Sequence, residues 1–252
     1  MTPDELLRRL YEAHDPAIKA FGDALQPGIT NRIGVRMPAV RLIARDVMKD
    51  DVRAFLKEAL EPGVLDRQEA IMVAGIVIGA ARGLRSEERL AYARRYLPLL
   101  DGWATCDLFG SALKVFREDR ARYLPFIAGC LRSPDKWTVR TAEVWLLEHY
   151  REKDWVGEVL TLLDEPRVLE LAESEYYLSM SLAWCLSMMY TVGPGKVADW
   201  MEERLAVGRL DRETGRRTVR KIGESFRPSA EEKAAVKIRL APYFSAGRRR
   251  GA

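Results

Sequence analysis

The sequence predicts an all-helical fold of stacked helix pairs, and three observations predict it. Apolar residues recur at spacings of three and four, as in Leu6, Leu7 and Leu10 or Cys106, Phe109, Leu113 and Phe116, while the Val/Ile/Thr alternation of strands is nearly absent. Breakers fall regularly, at Pro27-Gly28, Pro62-Gly63, Gly83, Asp101-Gly102, Ser133-Pro134, Pro166, Gly193-Pro194-Gly195, Gly208 and Pro228. They divide the chain into about ten to twelve helices of ordinary length. The middle of the chain also repeats itself. Asp101-Gly102-Trp103 opens one helix and Asp135-Lys136-Trp137 opens another 34 residues on, each with an Asp near the N-cap position. Val144-Trp145-Leu146-Leu147 then returns as Ala183-Trp184-Cys185-Leu186, 39 residues on.

Periods in the thirties built from helix pairs indicate an α-solenoid, and without a TPR or ankyrin consensus the pairs read as HEAT-like. Such stacks bend into a superhelix whose concave face binds extended partners. Residues 1–245 are expected to form one such domain and residues 246–252 a short, disordered basic tail.

Taken in order, the amino-terminal Met1-Thr2-Pro3-Asp4-Glu5 is acidic and runs into amphipathic sequence, without the basic and apolar regions of a signal peptide. Three widely spaced cysteines, Cys106, Cys130 and Cys185, form no CxxC pair and leave an odd one over. Both observations favour a reducing, cytoplasmic setting. Two histidines, His14 and His149, exclude a multi-histidine metal site and read as surface or capping residues. The stretch Tyr176 to Gly195 carries no charge. Its serines and Pro194 argue for a helix buried on most faces rather than a membrane span, so no membrane partner is expected. There is no Walker A loop, dinucleotide fingerprint or nucleophile elbow.

Charge is unevenly shared. The chain carries 41 Lys and Arg against 37 Asp and Glu, and from Gly208 to the end 13 basic residues meet five acids. Arg216, Arg217, Arg220 and Lys221 share one helix face there, as a phosphate-binding stripe or as an ordinary solvated surface.

Four residues have side chains suited to a ligand. Trp103 and Asp107 lie one turn apart, flanking a core stripe of Cys106, Phe109, Gly110 and Leu113, with Lys114 on the same flank. An indole face and a carboxylate at a groove edge can hold a cation, or the pair is a half-buried Trp and an Asp favouring the helix dipole. Arg140 can grip a phosphate with its planar fork or pair with Glu143. Trp184 shares a stripe with Tyr177, Met180, Ser181 and Met188, the pattern of a core residue, and Tyr176-Tyr177 and the methionines read as packing.

The chain resembles the HEAT-like-repeat DNA alkylation repair proteins, the alkylpurine DNA glycosylases of the AlkD type, over most of its length. Four stretches carry the resemblance: Ile33-Gly34-Val35-Arg36-Met37-Pro38-Ala39-Val40-Arg41; Trp103 to Asp107; Lys136 to Arg140 continuing to Leu146-Leu147-Glu148-His149-Tyr150; and Tyr176-Tyr177 to Trp184. Arg220 to Arg227 is similar to the basic closing helix of one branch. Their order and spacing together are the specific signal.

The resemblance implies a C-shaped solenoid with a basic concave groove that wraps duplex DNA as a monomer. It also implies hydrolysis of the N-glycosidic bond of N3- or N7-alkylated purines without a metal or other cofactor. Carried over by position, Asp107 stabilises the developing positive charge, Trp103 and Trp184 hold the nucleotide, and Arg140 binds substrate phosphate. Lys114, Arg216, Arg217, Arg220 and Lys221 are the expected backbone contacts. Where excising members place basic residues around the second Trp, this chain has Met180, Ser181 and Ser187. A solenoid that binds damaged or branched DNA without chemistry is the alternative, and one that binds a peptide is a third.

Overall fold

A computed structural model describes residues 1–245, so the expected basic tail, 246–252, lies outside the described residues. Among the described residues the chain forms fifteen α-helices and three short 3₁₀ turns, with no β-strand. The helices belong to two compact units, residues 1–119 and the chain from Arg120 onward.

The first unit contains α1 (Pro3–Glu12), α2 (Pro16–Leu25), α3 (Met37–Val47), α4 (Val52–Ala59), α5 (Gln68–Ala80), α6 (Ser86–Tyr96) and α7 (Trp103–Ala112). Helices α3, α5 and α7 stack in series, and α1, α4 and α6 back them. Helix α5, the centre of this stack, buries ten of its thirteen residues. It reads as apolar on nearly every side because other helices cover nearly every side. Two glycines set its closest approaches. A Cβ on Gly79 would lie 2.5 Å from Ala112 Cβ on α7, and one on Gly75 would meet the Tyr96 hydroxyl, which donates to the Ile71 carbonyl at 2.9 Å.

The second unit contains α8 (Arg120–Leu131), α9 (Lys136–His149), α10 (Val156–Leu163), α11 (Pro166–Ser174), α12 (Tyr176–Tyr190), α13 (Pro194–Ala206), α14 (Arg212–Glu224) and α15 (Ala230–Phe244). Here α9, α12 and α14 stack, with α8, α11, α13 and α15 packed behind them. The charge-free stretch forms α12, which buries ten of its fifteen residues. No helix among the described residues is long and apolar enough to cross a membrane. The serines of α12 take up the polar groups of its neighbours. Ser181 donates to the buried Glu143 carboxylate of α9, and Ser179 lies 2.6 Å from the Thr214 hydroxyl of α14. Each hydroxyl thus satisfies a polar group that would be costly to bury alone.

Fifteen helices exceed the ten to twelve expected, because several starts are set by a capping acid, at α2 together with Pro16 in the first turn, rather than by a paired breaker. Asp15 accepts from the N–H groups of Ala17 and Ile18, and Asp51 from those of Arg53 and Ala54, so each caps a helix where no breaker pair stands. His149 is not a surface residue: it ends α9 at 1% exposure, whereas His14 is exposed and its Nδ1 lies 2.6 Å from the Ile33 carbonyl.

One ion pair carries a pH signature. Arg53 grips Glu88 with two bonds, Nε to Oε1 at 2.8 Å and Nη2 to Oε2 at 3.0 Å, and Glu88 also accepts the Arg85 N–H to close a capping box. The Arg53 guanidinium, followed by that backbone bond, pulls the Glu88 carboxyl from 4.5 down to about 2. A depressed carboxyl contributes stability that is complete above its unfolded value and lost as pH falls through the folded one. Glu88→Gln is therefore expected to lower the thermal midpoint near neutral pH, with the gap to wild type closing as pH falls from about 4.5 toward 2. A gap that stays constant over that window in acid melts would refute the assignment.

Candidate nucleic-acid interface and reaction site

Helix α7 places two of the expected residues together. Gly102 is its N-cap in extended conformation, with no side-chain cap bond, so Trp103 is the first helical residue and Asp107 follows one turn later on the same face. Both are half-buried, while Cys106, Phe109 and Gly110 are buried as the core stripe requires. Asp101 is not the cap. It precedes the cap, and its carboxylate accepts from Thr105 at 3.1 Å. Asp135, by contrast, caps α9 directly, accepting from the Thr138 N–H at 2.8 Å and hydroxyl at 2.7 Å.

Lys114 is not on the α7 surface, because the helix ends at Ala112 and Lys114 opens a short 3₁₀ turn, Lys114–Arg117. It lines an open cleft of about 990 Å³ instead, with Arg41 and Arg45 of α3 and with Arg82 and Arg85 from the connection into α6. Arg85 is paired with Glu88, and buried Arg89 donates to the carbonyls of Ala81 at 2.8 Å and Leu84 at 3.3 Å. Arg41, Arg45, Arg82 and Lys114 are exposed or half-buried and, among the described residues, make no ion pair; Glu118 is the acid in the lining. A surface of this kind attracts a polyanion. The spacing of Arg41 and Arg45 on one helix face was a readable signal, while Arg82 and Lys114 join them only through the fold.

In the second unit Arg140 is 5% exposed, and its Nη1 donates to the Tyr177 carbonyl at 2.6 Å, tying α9 to the first turn of α12. Trp184 is half-buried, as are Met180 and Met188, so these three form an edge of α12 rather than its core, and Ser181 faces inward. Tyr176 is 59% exposed rather than packed. The start of α12 gathers aromatic and basic groups that sequence patterning did not bring together. Trp137 and Tyr177 pack with their ring centroids 5.7 Å apart and their planes tilted by 44°, Lys136 Nζ lies 5.6 Å over Trp137, and the Arg217 guanidinium lies 5.1 Å over Tyr176.

The basic stripe of α14 divides. Arg216 donates to the Phe244 carbonyl at 2.6 Å, and together with Arg220 it lines a hollow of about 410 Å³ against α15. Arg217 is turned toward α12, donating to Ser179 Oγ at 2.5 Å and pairing with Glu213 at 3.4 Å. Arg220 and Lys221 make no ion pair among the described residues. The two engaged arginines hold α14 in place, which leaves the other two available to an anion. Neutralising Arg220 and Lys221 together is expected to reduce the log–log salt slope of DNA binding by up to about 1.8. An unchanged slope in a titration against salt would assign both to solvated surface.

The fold and these surfaces define an all-helical protein with an aromatic–carboxylate pair on α7 and basic clefts suited to a polyanion. Residues 6–222 match the family model of the DNA alkylation repair enzymes, and the chain belongs to that family. Among curated proteins and solved structures no match is found.

Proposed function

We propose that the protein is a DNA glycosylase that hydrolyses the N-glycosidic bond of N3- or N7-alkylated purines in duplex DNA, acting as a cytoplasmic monomer whose residues 1–245 form one HEAT-like domain. The observation that carries this reading is the half-buried Trp103 and Asp107 pair on α7 in a chain of the DNA alkylation repair family. An alkylated purine is already cationic. When its C1′–N bond breaks, the base leaves with the electron pair and becomes neutral, the sugar carries the positive charge, and water adds at C1′ and gives up a proton.

Such a reaction needs no metal or acid on the leaving group. It needs charge stabilisation, which the Asp107 carboxylate supplies, and a positioned water, which the same carboxylate can orient. The indole face of Trp103 suits the cationic nucleotide, and Trp184 of the second unit offers another face of the same kind. Arg41, Arg45, Arg82 and Lys114, with Arg220 and Lys221, supply backbone contacts that hold DNA of any sequence. Arg140, the family's phosphate contact by position, is bonded to the Tyr177 carbonyl and ties α9 to the start of α12.

The test is incubation of the protein with methylated duplex DNA and chromatography of the released bases. Release of 3-methyladenine or 7-methylguanine above the protein-free rate supports the reading, and none overturns it. A second reading, DNA binding without chemistry, draws on the burial of Arg140 and the lack of basic residues around Trp184. It predicts salt-sensitive binding to the same duplex with no base released.

A further inference from the structure

The segment between α2 and α3 is unusually well tied for a connection. Glu69 of α5, 3% exposed, accepts from three successive backbone N–H groups, Ile33 at 2.8 Å, Gly34 at 2.7 Å and Val35 at 3.2 Å. Gly34 has a φ of +96°, and a Cβ there would come within 2.8 Å of the Lys19 backbone, so the turn requires glycine. Next to it, Arg32 is 8% exposed and directs Nε and Nη2 onto the single oxygen Gln68 Oε1, at 3.0 and 2.8 Å, with Nη1 3.3 Å from Asp23. Gln68 Oε1 is thereby fixed as the acceptor, which points its amide nitrogen at Asp101 Oδ1, 3.4 Å away. Asn31 Nδ2 donates to Asp101 Oδ2 at 2.8 Å. On the other side Gln26 Oε1, buried and without a hydrogen-bond partner among the described residues, leaves no room for a Cβ on Gly102, which would lie 2.6 Å from it.

We propose that Asn31, Gln68 and Arg32, acting through Asp101, are positioning residues for the reaction site: they fix the first turn of α7, and with it the Trp103 ring and the Asp107 carboxylate. The proposal rests on the reading of Trp103 and Asp107 as the reacting pair. The comparison with α9 is the reason to see more than a cap. A local cap by Asp135 and Thr138 suffices to start α9, whereas Asp101 stands before the cap and is held from α5 and from the connection after α2 as well as by Thr105. A local bond stabilises a helix end; bonds from two separate elements also hold the residues of its first turn in register with those elements. Gly102 offers no side chain to adjust, so displacement of Asp101 is transmitted to Trp103, the next residue but one.

Two variants each break one link. Asn31→Asp replaces the donor facing Asp101 with a second carboxylate. Gln68→Glu keeps the oxygen that Arg32 holds and removes the amide that Asp101 accepts from. The double exchange Asn31→Asp with Asp101→Asn reverses the direction of one bond, keeps the charge count, and leaves an amide oxygen at 101 for Gln68 and Thr105. The protein is labelled with 5-fluorotryptophan at its six tryptophans, and Trp103→Phe assigns one fluorine resonance.

In Asn31→Asp and in Gln68→Glu the Trp103 resonance is expected to move or broaden while the other five stay, and the double exchange to return it. Single-turnover base release is expected to fall about ten- to a hundredfold in the single variants and recover in the exchange, with DNA affinity within about twofold throughout. A Trp103 resonance unmoved in both variants, all six resonances collapsing in both, or no recovery in the exchange would overturn the proposal. Absence of base release from the wild type would instead remove the glycosylase reading, and the fluorine spectra would then decide the positioning role alone.

Discussion

Asp107→Asn is expected to lower the single-turnover rate of base release by about a hundred- to a thousandfold, the scale of effect seen when one preorganised electrostatic partner of a transition state is removed. The amide retains the size of the carboxylate and an oxygen that can orient water, but not the negative charge that opposes the cationic sugar. The ground state already carries a cation, on the purine, so part of the attraction is present before reaction. The gain comes as charge moves from base to sugar, and only that difference accelerates the step. Affinity for unmodified duplex should stay within about twofold, because the backbone contacts are made elsewhere. Equal rates in wild type and variant under single-turnover conditions would remove Asp107 from the chemistry.

Replacing Arg41, Arg45, Arg82 and Lys114 together by alanine is expected to have a still larger effect on binding. Every phosphate left without its cation reduces the log–log salt slope by about 0.9, so four reduce it by up to about 3.6 and weaken binding at about 0.1 M salt by roughly three orders of magnitude. These side chains make no ion pair among the described residues, so their removal leaves no buried charge unsatisfied and the fold should persist. Release at saturating protein should remain close to wild type, since uniform binding holds ground state and transition state alike. A slope unaltered in filter-binding titrations would make the cleft ordinary solvated surface.

The expected residues fared differently on folding for reasons that lie in how each neighbour is brought close. Trp103 and Asp107 needed only helix geometry to be placed side by side, because four residues make about one turn whatever surrounds them. The basic stripe of α14 was legible as a composition but not as a surface. Arg216 and Arg217 are consecutive, and two helices packed on different sides of α14 each claimed one, at Phe244 and at Ser179. Trp184 carried the pattern of a core residue yet lies half-buried, because the flank of α12 that bears it is only partly covered.

By itself the sequence determined the helical class, the stacking of helix pairs, the α7 pair and the membership suggested by its ordered motifs. These depend on periodicity, caps and breakers, which act within a few residues of the chain. Only the tertiary structure decided which basic groups are available, by burying Arg89 while leaving Arg82 and Lys114 accessible in the same cleft. It alone also turned Asp101 from an apparent cap into the meeting point of Asn31, Gln68 and Thr105. Such interactions join residues far apart in sequence, and whether two of them meet depends on the register in which whole helices pack, to which no local pattern refers.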